Sequence, residues 1–397
     1  MLGLAHWGPY VDLSEPDGAA AIHTHATYHA FLHLNDGCEP CLFQISPSPN
    51  LRDSVLEFLS RQDLIAHSPG DIPDYLRSRN WQNVVELVDR ASRLPDEINL
   101  KLVMLLGKLG MYEAVLSNFG HPSDAEISKS PYSARLALRR CQALAWRGPS
   151  DWENANMETA RILKLSMDPV VRVHAALSLV VHFSKREFDL ARAADAGSVL
   201  VADLKKMDFE RTPHLCLTGS KGYRALAFIP YHRGDRDEVR RLLQTAEALH
   251  NSIPASDNGA LLKQENSHPL YETLGKEAQW RGDFDRAYEF AEYLAVIDGG
   301  DPKVYLQWGN VCANMGRLTE AVTRYRSAIA LGPPTQALAC LKLGAILEAA
   351  GDFIGAAQEY VASVKLEPRN RIGRKNLRRV GLLLENSDLI AQAGSIH

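Results

Sequence analysis

The sequence predicts an all-α chain folded as a right-handed α-solenoid of helical hairpins, and three observations carry that expectation. Gly275, Gly309 and Gly344 each precede the same pattern of small and bulky residues, at spacings of 34 and 35 residues. Apolar residues recur at intervals of three and four downstream of residue 72, the signature of amphipathic helices. Glycines at 234, 282, 316 and 351 interrupt those runs where a hairpin turn is needed. A unit of this length cannot bury its apolar face alone, so neighbouring units stack into one continuous core.

The clearest unit runs from Asp301 to Pro333. Tyr305, Trp308 and Gly309 fall on its first helix, Cys312 follows one turn later, and Gly316 opens the turn. Ala321, Tyr325 and Ala328 share a face of the second helix, and Pro333 stops it because proline cannot continue a helix. Gly309 and Ala321 are expected where the two helices cross, with Tyr325 filling the space to the next hairpin. The unit that follows repeats this with Leu343, Gly344, Leu347, Gly351, Phe353, Ala356, Tyr360 and Pro368; the one before it has Tyr271, Leu274, Gly275, Ala278, Gly282, Phe284 and Ala287. Period and residue order resemble the tetratricopeptide (TPR) repeat. Gly275, Gly309, Ala321, Tyr325, Gly344, Ala356 and Tyr360 are its expected packing residues.

Upstream the pattern weakens but continues. Residues 223–247 keep a turn at Gly234-Asp235 and an apolar stripe at Val239, Leu242 and Leu243. Residues 173–194 set Phe188 where Phe284 and Phe353 stand, with Ala191 as the small residue after it. Gly110 with Tyr112, and Trp81, mark two earlier turns. The division is therefore an irregular proline-containing segment at 1–71, a TPR-like solenoid at 72–380 with its clearest repeats at 268–368, and a tail at 381–397.

Hydrophobic content of 46%, charged content of 23% and a formal charge of −4 are ordinary for a globular chain. No run of apolar residues is long enough for a membrane helix, and the N-terminus lacks a basic region followed by an apolar core. Cys141, Cys216, Cys312 and Cys340 stand alone on predicted helices, as small buried residues of a reducing compartment. A cytoplasmic protein is expected.

Two segments depart from the repeat. His25, His29 and His33 recur every four residues and are followed by Cys38 and Cys41, a ligand set that zinc accepts. A lone C-x-x-C is weak evidence, so the bland reading, a polar histidine-bearing segment with no metal and no cofactor, is preferred. The second is the basic run Arg369, Arg371, Arg374, Lys375, Arg378 and Arg379. Ile372, Leu377, Val380 and Leu383 give it an apolar side, so it reads as a solvated helix closing the last repeat. Without interleaved aromatics it does not indicate nucleic-acid binding.

No catalytic motif is present: there is no P-loop, no nucleophile elbow and no paired zinc-protease histidines. His174, His182, His232, His250 and His268 have no carboxylate at an obvious partnering position. The chain reads as a non-enzyme with protein partners and no small-molecule substrate. A partner groove on the concave face is expected at Glu272, Lys276, Gln279, Lys303, Leu306, Asn310, Ala313, Leu341, Ala345 and Glu348. These do not reproduce the carboxylate clamp of chaperone-binding TPR domains: Glu272 and Lys276 stand where Lys and Asn are needed, and Gln307 where Asn is.

Two stretches are more specific than a generic repeat. Residues 99–120 are an apolar helix, a Lys-Leu-Gly turn with an aromatic shortly after, and a Phe-Gly ending. Residues 130–148 set Pro, an aromatic and Ser ahead of a long helix. In this order, followed by degenerate and then clear repeats, the chain resembles the C-terminal solenoid of the TRAPP complex subunit 12 family. The segment between Gly120 and Pro131 is short for that family, and the His/Cys stretch has no counterpart in it. The resemblance implies a non-catalytic subunit of a vesicle tether, bound to other TRAPP subunits and peripherally to early secretory (ER–Golgi) and autophagic membranes. The alternatives are a free-standing TPR adaptor, or co-chaperone-like protein, that binds a peptide or protein in its groove, and a zinc-dependent regulator built on the His/Cys stretch.

Overall fold

The computed structural model describes residues 88–108, 112–147, 149–212, 215–253, 257–297, 302–332, 335–368 and 370–394. Regular structure among them is helical throughout, and the fold is an α-solenoid. In chain order the helices are α1 (Asp96–Lys108), α2 (Tyr112–Asn118), α3 (Asp124–Lys129), α4 (Pro131–Arg147), α5 (Trp152–Leu165) and α6 (Pro169–His182). After them come α7 (Leu190–Leu204), α8 (Cys216–Leu226), α9 (Phe228–Arg233), α10 (Arg236–Asn251), α11 (Asp257–Arg281) and α12 (Phe284–Ile297). The last six are α13 (Pro302–Asn314), α14 (Leu318–Leu331), α15 (Gln336–Ala349), α16 (Phe353–Leu366), α17 (Arg371–Leu383) and α18 (Ser387–Gly394). Helices adjacent in sequence pack on one another, and first helices also meet across hairpins, α6 on α8 and α8 on α11.

The hairpin turns share one construction. Gly234, Gly282, Gly316 and Gly351 take left-handed φ values of 76°, 82°, 74° and 83°, where a side chain would be strained. The next residue sends its N–H five positions back: Asp235 to Pro230, Asp283 to Ala278, Arg317 to Cys312 and Asp352 to Leu347, at 2.9–3.0 Å. Asp235, Asp283 and Asp352 then cap the following helix by accepting the N–H three residues on, each worth about 1 kcal/mol.

At Phe188 the construction gains a residue. Asp189 reaches six positions back, to the Phe183 carbonyl, across a π-helical turn at Phe183–Glu187. Phe188 itself takes the left-handed conformation, φ 56°, so it stands at the glycine position and Leu190 stands where Phe284 and Phe353 do. This corrects the sequence reading by two residues. The small buried residue of that hairpin is Ala193, in the core, while Ala191 is exposed.

Packing follows the small/large alternation. A Cβ on Gly344 would meet the Tyr360 ring at 2.7 Å, and one on Gly309 would meet Tyr325 more closely still. At Gly275 the nearest atom is Phe290 Cβ at 3.7 Å, an ordinary contact. Ala287, Ala321 and Ala356 are buried under the first helices, and Tyr325 and Tyr360 are among the largest fully buried side chains. Cys141, Cys216, Cys312 and Cys340 are free and buried.

The helical packing continues beyond residue 380. Glu385 takes φ 52°, Asn386 bonds back to the Gly381 carbonyl at 2.9 Å, and its side chain caps α18 through Leu389 N–H. Helices α17 and α18 thus form one more hairpin. Leu377 and Val380 close the core as expected, whereas Ile372 and Leu383 are exposed, at 63% and 58%. The apolar stripe of the basic helix is narrower than its sequence suggests.

Candidate functional site

Ion pairs join first helices of neighbouring hairpins, α11 to α13 and α15 to α17. Glu272 on α11 receives Lys276 Nζ at 2.5 Å and, across the hairpin junction, Lys303 Nζ at 2.7 Å. Burial alone would raise the Glu272 carboxyl, but the two ammonium groups hold it at about 2. Gln279 accepts from Asn314 Nδ2 at 3.3 Å, and Asn310 accepts from the buried Tyr325 hydroxyl at 2.9 Å. Glu348 accepts from Tyr360 Oη at 2.7 Å and from both nitrogens of an Arg379 fork, also at 2.7 Å. The Arg379 hydrogen bonds hold its carboxyl below the usual range.

Leu306 and Leu341 lie in the core and not on the groove surface. Both are flanked by packing residues at helical spacing, and the core takes the apolar side chain. Ala345 is exposed and Ala313 half-buried on the same first helices. His25, His29, His33, Cys38 and Cys41 lie outside the described residues. Among those described, no group of three or more metal-ligating side chains comes together.

Sequence reasoning missed the cations upstream. Lys185, in the π-helical turn, places its ammonium 3.8 Å above the centre of the Phe228 ring. Its charged neighbours are Arg224, Lys276, Glu272 and Lys303, carried by the next three hairpins in turn. These groups come within electrostatic reach of one another through the stacking of successive hairpins. Arg224, on α8, is partly buried and its shielded Nε has no hydrogen-bond partner. Further up, burial pushes His174 down to about 3, assisted by Arg139, Lys221 and Arg135. Arg135 is also paired with Asp168 at 2.9 Å. The only early signal for this run was His174, whose turn-by-turn neighbours on other helices no sequence period reveals.

Two histidines expected to be isolated are partnered. His182 Nε2 lies 2.7 Å from Glu187, within the inserted turn. His250 Nδ1 accepts from Asn266 at 3.1 Å, and its Nε2 meets Ser267 Oγ at 3.1 Å. Ser267 donates its own proton to the Lys263 carbonyl at 2.8 Å, so the imidazole is the donor toward it. A base must accept from its nucleophile, and this buried pair runs the other way. It joins α10, α11 and, through Ser220, α8.

No family model and no curated protein matches the chain. Solved structures match its fold. A monomeric mutant of IFIT1 with Gppp-AAAA is 12% identical over 97% of this chain and 82% of that one, at a TM-score of 0.50. Yeast Tom70 is 14% identical over the same shares, 97% and 82%, at 0.49. A tetratricopeptide repeat protein from Parabacteroides merdae is 11% identical over 75% and 99%, at 0.45. At these identities the likeness is one of fold.

Proposed function

We propose that this chain is a non-catalytic interaction scaffold that holds a protein partner along the wall of its first helices. The observation that carries this reading is the row of charged side chains from α4 to α13, fixed on packed helices and left over after the core is built. Rigid helices place binding groups more reliably than loops, and repeat solenoids offer extended concave surfaces of this kind.

Within this reading the finer assignment is the tethering-complex subunit, with the groove-binding adaptor as its alternative. The two stretches that carry the family resemblance pack as one unit: α4 lies against α1 and α2, and Arg140 donates to the Val115 and Leu116 carbonyls at 3.1 and 2.9 Å. That supports treating them as a single module.

Native affinity purification of the tagged chain from its own cells, with size exclusion and mass spectrometry, tests the reading. A large complex containing small longin-like and Bet3-like subunits supports the tether. One stoichiometric client supports the adaptor. A monomer without any stoichiometric protein contradicts the scaffold reading altogether.

A further inference from the structure

We propose that Lys185, Arg224, Lys276 and Lys303 form a subsite that seats the carboxylates of an acidic segment of a partner protein. The proposal deepens the scaffold reading and rests on it.

Three features make the subsite more than a charged surface. The first is the inserted turn. Its extra residue forces Phe188, a bulky aromatic, into a left-handed conformation that costs on the order of 1–2 kcal/mol. π-Helical insertions of this kind concentrate where a side chain is re-aimed for function, and the side chain leaving this one toward the wall is Lys185. The Phe228 ring beneath the ammonium holds it in place without neutralising its charge.

The second feature is Arg224. Its shielded Nε makes no hydrogen bond, and the guanidinium has no ion pair among the described residues. A shielded N–H without an acceptor is costly, and a carboxylate forked onto the guanidinium would remove that cost. The third is the charge balance. One carboxylate, Glu272, stands among four cations, and it is already bound to Lys276 and Lys303. Lys185 is exposed as a residue, and desolvation, then Arg224 and Lys276, pushes its ammonium down to about 8. An anion here restores the ordinary value.

The same features select the partner. A continuous phosphate backbone would meet the fixed Glu272 carboxylate, whereas spaced Asp and Glu side chains can straddle it. The Lys185 ammonium covers one face of the Phe228 ring, so that face is not offered for base stacking. A concave wall does not meet a flat bilayer. The cations also differ in position from the chaperone-type clamp, which the sequence already lacks.

The test is selection of a random-peptide phage library on the purified chain, with synthetic versions of the selected peptides measured by fluorescence anisotropy. Enriched peptides should carry clustered Asp and Glu. Their affinity should fall roughly tenfold or more in Lys185→Gln and Lys276→Gln, the scale of one lost charge-assisted hydrogen bond. Lys276 also holds the Glu272 carboxylate, so circular dichroism and urea midpoints are recorded for both variants to confirm that each is folded under the binding conditions, with Lys185→Gln the cleaner reporter; Arg224→Met is then measured as the third member. Neutral or basic peptides, or acidic ones that bind both lysine variants as tightly as the parent, overturn the subsite and leave the scaffold reading standing. Preference for an RNA oligonucleotide or an anionic vesicle over every selected peptide also overturns it.

Discussion

The Cα of Gly309 lies so close to the Tyr325 ring that an added Cβ would sit 2.5 Å from Cε1. The ring cannot retreat, because it is 2% exposed and its hydroxyl donates to Asn310. Gly309→Ala and Gly344→Ala should therefore each destabilise the fold by about 1–3 kcal/mol through overpacking. Gly275→Ala meets only ordinary contact and should be neutral or stabilising by about 0.5–1 kcal/mol, as for other glycines inside helices. Urea denaturation of the three variants checks this; equal midpoints would refute the assigned crossing geometry.

Phe188 offers the opposite substitution. Glycine at a left-handed φ removes the steric cost of the side chain, offset in part by a more flexible unfolded chain. The aromatic ring is 66% exposed and its contact with His232 is an edge contact at 5.7 Å, so little packing is lost. Phe188→Gly should raise stability by about 0.5–1 kcal/mol. A lowered melting temperature would mean that the ring's contacts outweigh the backbone strain.

His250 makes stability depend on pH. Burial, with Lys263 nearby, pushes the imidazole down to about 4 from an ordinary 6.5. Between those values the unfolded chain binds the proton and the folded chain does not, so stability rises with pH. The contribution is complete above 6.5 and is lost as pH falls toward 4, at up to about 1.4 kcal/mol per pH unit. Urea midpoints on either side of that window should show the slope, and His250→Leu should flatten its share of it. An unchanged slope in the variant would place the titration elsewhere.

Glu272 acts in a lower window. Its carboxyl is held at about 2 against an ordinary 4.5, so its contribution is present above 4.5 and lost as pH falls toward 2. Changing Lys276 or Lys303 therefore reaches the fold as well as the surface, since each holds a largely buried carboxylate. Lys303→Met should cost about 1–3 kcal/mol, and the double variant Lys303→Met with Glu272→Gln should recover part of it. Failure of the second change to recover any stability would show that the pair is not coupled.

Much of the repeat was legible because glycine, alanine, aromatic and proline positions each have a steric reason that survives in one dimension. Gly282, Gly316 and Gly351 announced their turns, and Gly309 was placed at the helix crossing, although the side chain that fills the space against it is Tyr325, which the sequence assigned to the gap before the next hairpin. The hairpin at Phe188 was not legible, because one inserted residue shifted the frame while a phenylalanine took the place of the glycine that marks it. Leu306 and Leu341 were misplaced for a related reason. Groove and core positions are neighbours on a helix, and only the packed structure separates them. Lys185 and Arg224 come within electrostatic reach of the Glu272 pair through the stacking of hairpins, which no local period encodes.

The most direct test of the central claim is hydrogen–deuterium exchange on the chain alone and in complex with its co-purified stoichiometric partner. Binding along the first-helix wall predicts new protection in α8, α11, α13 and the turn at Phe183–Glu187. Protection confined to the second helices α10, α12 and α14, or to the terminal pair α17 and α18, would contradict the account.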